Sequence, residues 1–200
     1  MKIMFNPEEE DCNNIDISPL QHPLPARLKD KEVRIVEAIS IISDIRLYKT
    51  DSKFDFLSNQ RLFIFAMDKN DNLFVGINNI VAIDADEIPI GYIGINKTYG
   101  KIASNLKEFL ALILFYPFWQ EILEYELKSE NYSVKSLELN WVKDKHDFYQ
   151  LQKTVSQELS VAQDDLSITK LLSNLKQSSH FKVCTPDGSA FEQLVKREVK

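Results

Sequence analysis

Apolar positions along the chain switch period several times, and each switch predicts an element. Leu28, Val33, Ile35, Val36, Ile39, Ile42, Ile45 and Leu47 recur at mostly helical spacing. They predict a helix over Ala26–Leu47, although the β-branched residues Ile39, Ile41 and Ile42 leave a strand open as the reading of its end. Leu62–Ala66 and Leu73–Ile77 are short apolar runs on either side of Asp68-Lys69-Asn70-Asp71-Asn72. Asp and Asn tolerate positive φ and bond to their own backbone, so the arrangement predicts a hairpin. Asn78-Asn79 predicts a second turn and Ile80–Ile83 a third strand. Ile88–Ile95 predicts a fourth strand, with Pro89 suited to an edge or a strand start.

Helical spacing then returns. Asn105 with Glu108 has the form of a capping box. Leu106, Phe109, Leu110, Ile113 and Leu114 form one apolar face behind it. Pro117 should kink or end that helix, and Phe118, Trp119, Ile122, Leu123 and Leu127 predict that it resumes. Leu137–Val142 predicts a strand, while Asp147–Leu159 and Asp165–Leu175 predict helices. Phe181–Cys184 predicts a short strand, Thr185-Pro186-Asp187-Gly188 a turn, and Ser189–Val199 a closing helix. Before all of these, Met1–Pro25 is polar and acidic with Pro19, Pro23 and Pro25 near its end, the pattern of an extended arm. The class is α+β, read as one domain over residues 26–200 behind that arm.

Length and composition narrow the functional classes. The chain has 200 residues, which suits one domain or one domain with an appendage. Apolar residues make up 44%, enough for a core without disulfides or metal. With 24 Lys+Arg against 30 Asp+Glu the net charge is -6, which argues against a broad basic face for nucleic acid. Cys12 and Cys184 lie too far apart for a metal knuckle and are too few for a disulfide framework. Met1–Phe5 is followed at once by Glu8, Glu9, Glu10 and Asp11, so no secretory apolar region fits there. The longest apolar run, Phe109–Trp119, is shorter than the roughly 18–20 residues that span a bilayer. The expectation is a cytoplasmic protein with reduced thiols, no membrane association and no cofactor.

Few residues are arranged for chemistry. Asp68, Asn70 and Asn72 open like a calcium loop, but its sixth position is Leu73 rather than Gly and its twelfth is Asn79 rather than Glu. The stretch reads as a hairpin turn. None of His22, His146 and His180 has a His or Cys at ligand spacing. Cys184 needs a neighbouring base to serve as a nucleophile, and otherwise reads as a small buried residue at a strand end. Asp84/Asp86 and Asp164/Asp165 are acid pairs of the kind that solvated edges and helix caps also carry. Phe115, Tyr116, Phe118 and Trp119 surround Pro117 and read as core, with a partly exposed partner anchor as the sharper alternative.

Residues 62–114 resemble the Smi1/Knr4, or SUKH, superfamily. The resemblance is carried by Ile64-Phe65-Ala66, Asp68, Asp71-Asn72-Leu73-Phe74, Pro89-Ile90-Gly91-Tyr92-Ile93 and Ala103-Ser104-Asn105-Leu106-Lys107-Glu108-Phe109-Leu110. These follow the family's order of strand, polar turn, strand, proline-led strand and helix start. The turn holds Asn and Asp where the family commonly has Gly, and the stretch after Lys128 matches nothing in the pattern. The resemblance implies a central, mostly antiparallel sheet flanked by helices, with a core over about residues 26–128 and a helical C-terminal extension over 129–200. It also implies a non-enzymatic binding role, since many members resemble immunity proteins that bind and neutralise a toxin.

Two expectations follow. The first is a protein-binding module of immunity type with partner contacts at Asp84, Asp86, Glu87, Tyr92 and Tyr99. Residues 68–87 carry five acids and one base, an asymmetry that would steer a basic protein partner such as a toxin domain; direct nucleic acid binding is not expected of so negative a chain. The alternative is an enzyme whose site assembles from dispersed residues such as Cys184 with His146 or His180. A regulatory scaffold of the same fold would differ from the first only in its partner.

Overall fold

Strand-period and helix-period stretches become elements in a mixed order. The computed structural model describes residues 20–21, 28, 31–47, 55–77, 87–177 and 181–195. Along the described residues come β1 (Leu20–Gln21), α1 (Val33–Ser43), β2 (Ile45–Leu47), β3 (Leu57–Ser58), β4 (Leu62–Asp68), β5 (Leu73–Ile77), β6 (Ile90–Ile93) and β7 (Thr98–Ala103). Then follow α2 (Leu106–Phe115), α3 (Trp119–Lys128), α4 (Val134–Val142), α5 (Phe148–Glu158), α6 (Ser167–Lys176), β8 (Val183–Cys184) and β9 (Glu192–Gln193). The fold is α+β, as expected.

The main sheet runs β1-β4-β5-β6-β7-β9, with β2 also pairing β4. Its centre is an antiparallel meander, because each of β4 to β7 returns beside its predecessor. The borders differ. β1 lies parallel to the first half of β4, β2 antiparallel to its second half, and β9 parallel to β7.

Alternation along the strands sends side chains into two cores, one on each face. Phe74, Ile90 and Tyr92 meet the helices together with Ile35, Ile39 and Ile42 of α1 and Phe109, Leu110 and Ile113 of α2. Leu73, Val75, Ile77 and Ile93 face the other way, onto Phe56, Phe181 and Val183. There the two-stranded sheet β3-β8 covers them.

Register in β4 shifts between Ile64 and Ala66. Leu62 and Ile64 belong to the second core, whereas the adjacent Phe65 and Ala66 both belong to the helical one. One extra residue therefore reverses the phase of the strand's end. It aims Met67 back toward the second core and Asp68 toward the helices.

On the helical face, α2 packs against α1, α5 and α6. Asn105 Oδ1 accepts the Glu108 N–H at 2.8 Å, which caps α2 as its sequence predicts. The Glu108 carboxylate turns outward instead and accepts from Asn174 Nδ2 at 2.6 Å, tying α6 to the start of α2. α6 lies close on β7. A Cβ on Gly100 would stand 2.6 Å from Leu175 Cδ2, so any larger residue would have to displace the Leu175 side chain. Leu137, Phe148, Val155, Leu159, Leu171 and Leu175 share the core of α1 and α2, so the described part of the C-terminal extension is built into the domain.

Several expectations are corrected. The helix expected over Ala26–Leu47 is, where described, α1 at Val33–Ser43: Asp44 takes a left-handed φ of 56° and β2 follows. Leu137–Val142 belongs to a helix, α4: Ser133 Oγ caps it from the Ser136 N–H, and buried Leu137 stands one turn from half-buried Trp141. Thr98–Ala103, which lacks a clean apolar alternation, forms β7. Ser189–Val199 is not helical where described, because the Thr185–Gly188 turn folds the chain back so that Ala190 bridges Cys184 and β9 reaches β7. Most of the arm before Pro25, the Asn78-Asn79 turn and the Ile80–Ile83 strand lie outside the described residues.

Candidate functional site

Two hairpin tips lie side by side at one end of the sheet. The first joins β4 to β5. Asp68 Oδ1 accepts the Asn70 and Asn72 N–H groups at 2.8 and 3.0 Å, and Oδ2 accepts from Asn72 Nδ2 at 2.9 Å. Gln120 Nε2 of α3 adds a donor to Oδ2 at 3.2 Å. The Asp68 oxygens thus serve N–H donors, which makes the D-x-N-x-N stretch a hairpin turn. The second tip, Gly94–Lys97, joins β6 to β7 and closes through Lys97 N–H to Gly94 O at 3.0 Å. Asn72 Oδ1 accepts the Ile95 N–H at 3.1 Å and locks one tip to the other.

Beside these tips, on the face away from the helices, is a groove of about 730 Å³. Phe56, Met67, Leu73, Ile93 and Phe191 form its apolar floor. The Phe56 and Phe191 rings are 6.4 Å apart between centroids. The groove opens where the β3-β8 cover ends, because the bulge in β4 aims Met67 to this side and the Thr185–Gly188 turn forms the opposite wall.

Charge gathers on the rim. Asp55, Asp71 and Asp187 stand there with Lys97, all exposed. Asp71 is 3.6 Å from Arg46 Nη2. Asp187 Oδ1 accepts from Thr185 Oγ1 and, at 3.2 Å, from the Ser189 N–H. Those hydrogen bonds, with a smaller contribution from Lys97, hold the Asp187 carboxyl below its ordinary value. Asp71 and Lys97 both take a left-handed backbone, with φ of 63° and 62°. Exposed Ile95 completes the rim as an apolar side chain with 70% of its surface in water.

A second, polar cleft of about 200 Å³ lies on the helical side of the same hairpin, between Asp44, Asp68, Lys69, Gln120 and Trp141. Its charges already serve the fold. Lys145 Nζ donates to Asp44 Oδ1 at 2.6 Å and to the Ile41 carbonyl at the end of α1 at 2.8 Å, and it lies 4.3 Å above the Trp141 ring. Lys69 Nζ donates to Asp44 Oδ2 at 2.9 Å. Burial pushes the Asp44 carboxyl up, but the two lysines outweigh it and hold it below its ordinary value. Burial lowers the Lys145 amine by more than Asp44 restores. The carboxylate gains from the contact, while the amine is kept there at a desolvation cost.

Of the residues expected to meet a partner, the three that are described, Glu87, Tyr92 and Tyr99, do not come together. Tyr92 is 7% exposed and faces the helical core, with its ring 5.5 Å from Trp119 and 5.8 Å from Phe74. Tyr99 is 5% exposed and packs 5.1 Å from Phe181 in the second core. Both sit inside the sheet, so neither offers a surface. Glu87 is exposed before β6, at the end of the sheet opposite the groove. Asp84 and Asp86 lie outside the described residues, as do His180, His22 and Cys12. Tyr116, Phe118 and Trp119 around Pro117 are buried core.

The alternative catalytic residues are separated too. Cys184 is 1% exposed in β8, on the far side of the sheet from the helices. His146 is exposed in the turn before α5, on the helical side. Among the described residues, no group of three or more His, Cys, Asp or Glu could hold a metal ion, and no helix is long and apolar enough to cross a membrane. The sequence reading missed Asp55, Lys97, Asp187, Phe56 and Phe191 as a group. The two turn motifs, D-x-N-x-N and T-P-D-G, were its signals, because they form facing walls of the groove. Comparison with protein-family models, curated proteins and solved structures finds no match for this chain.

Proposed function

We propose that this protein is a non-catalytic, protein-binding module of the immunity type, and that the groove at the hairpin tips is where its partner docks. The observation that carries this reading is the groove's composition. An apolar floor lies inside a charged rim, the arrangement of an interface with a buried centre and a polar border. The groove's one hydroxyl next to a carboxylate is committed to its turn, since Thr185 Oγ1 donates to Asp187 Oδ1 and accepts the Ser189 N–H at 3.2 Å. The lining holds no His or Cys, which favours binding over catalysis. The resemblance of residues 62–114 to the SUKH superfamily supports the same role. A toxin domain is the partner class that resemblance suggests.

The test is affinity capture from the native host followed by reconstitution from purified components. Three baits are compared: wild type, Asp71→Lys with Asp187→Lys, and Asp84→Lys with Asp86→Lys and Glu87→Lys. The expected result is one protein that forms a stoichiometric complex with wild type, is lost from the first variant and is kept by the second. A partner lost only from the second variant would move the docking surface to the acidic stretch before β6. A chain that forms no stoichiometric protein complex would overturn the reading.

A further inference from the structure

We infer that the groove takes a linear segment of its partner in which one bulky apolar side chain stands next to a lysine or arginine. The inference rests on the protein-binding reading above and names the chemistry of the bound segment. Three features carry it.

The groove volume, about 730 Å³, falls within the range of roughly 300–1,000 Å³ that compact ligands occupy, so it admits side chains rather than a whole element. Its polar groups stand on the rim, while Phe56, Leu73 and Ile93 below them are buried apolar side chains. Such a floor cannot orient a small polar substrate, but it can receive an apolar anchor. The rim carries three carboxylates against Lys97, and the Arg46 guanidinium beside Asp71 leaves the balance negative. A cation beside the anchor is therefore the complementary group.

Asp187 is the better placed of the carboxylates. Its Oδ1 is pinned by Thr185 and by the Ser189 N–H, so the group is oriented before anything binds. Little side-chain freedom is lost when a cation docks on it. Asp71 stands on the first hairpin tip and Asp187 on the facing turn, so a basic residue on either side of the anchor meets an acid.

The test is selection from a random linear-peptide display library on the immobilised full chain. Selected peptides are then made and titrated by fluorescence anisotropy. The expected result is enrichment of sequences that place Arg or Lys within two residues of an aromatic residue, Leu or Met. Their affinity should fall at least about tenfold for Asp71→Lys with Asp187→Lys, fall as salt is raised, and rise about two-fold for Lys97→Gln. Thermal melts of both variants, whose changes are exposed, control for folding.

Acidic or charge-free selected peptides would overturn the inference, as would affinities that the double variant leaves unchanged. Absence of enrichment over a bare surface would overturn it as well. Self-association of wild type that the double variant abolishes would seat a second copy in the groove instead. If the native partner is lost from the double variant while no peptide is enriched, the bound-segment inference fails and the protein-binding reading stands. If neither binds, both fail.

Discussion

Asp44 ends α1 with a left-handed backbone and accepts from two lysines, and its role can be separated from its shape. Asn also tolerates the left-handed region, so Asp44→Asn removes the charge and keeps the turn. The Lys145 amine would then keep only neutral partners, the Ile41 and Ile42 carbonyls, the Trp141 ring and an amide oxygen, and lose its counter-charge in a half-buried site. The expected loss at neutral pH is about 1–2 kcal/mol, below that of a fully buried pair because Asp44 is partly in water. The carboxyl is held below 3.8, so its stabilisation is full above that value and is lost as pH falls through its folded value. Urea titrations should therefore show wild type above the variant at pH 7 and the two converging in stronger acid. An unchanged gap at low pH would refute the assignment. Asp44 carries no sequence signal for this task, since its lysines lie 25 and 101 positions away. By contrast, Asp68 could be read locally, because three of its four donors come from the next four residues.

Among elements, α2 has the most to lose from a single truncation. Phe109 is fully buried, with its ring 5.7 Å from Phe65 and 5.3 Å from Phe74. Phe109→Ala should cost about 3–5 kcal/mol, measured as a lowered denaturation midpoint. A melt unchanged by the substitution would show that α2 does not hold the sheet. This helix was legible because its cap, its period and its proline stop agree. The hairpin β4–β5 was legible for a similar reason, as its turn chemistry and flanking runs point the same way. Leu137–Val142 misled because Leu137, Leu139 and Trp141 alternate with Glu138 and Asn140 as in a strand. The helix instead buries Leu137 beside Trp141 one turn on and leaves Leu139 56% exposed, and the cap at Ser133 lies outside the stretch. The groove was less legible still. It depends on the phase reversal in β4, and a bulge leaves no mark in a pattern of apolar and polar letters. Its floor also takes Phe56 and Phe191 from far apart in the chain, the first outside any periodic run and the second within the stretch expected to be a closing helix.

At the scale of the molecule, the helices after residue 128 complete the core that α1 and α2 begin. A chain ending at Lys128 would leave Phe109 and its neighbours without Val155, Leu171 and Leu175. It should show no cooperative thermal transition and should bind a hydrophobic dye, as unpacked cores do. A sharp melt from that fragment would show the first part to be a domain by itself. The resemblance covers only residues 62–114, so it could not reveal that the remainder is structural.

The borders of the sheet have a consequence for the crowded protein. Among the described residues, two residues of β1 and three of β2 shield the seven-residue β4, and two residues of β9 shield the six-residue β7. So short a cover can detach at small cost while the cores stay intact. The bare backbone beneath would then offer its N–H and C=O groups to another chain. Aggregation would start from a nearly native state at these seams, and a clip across either border would slow it without raising the melting temperature.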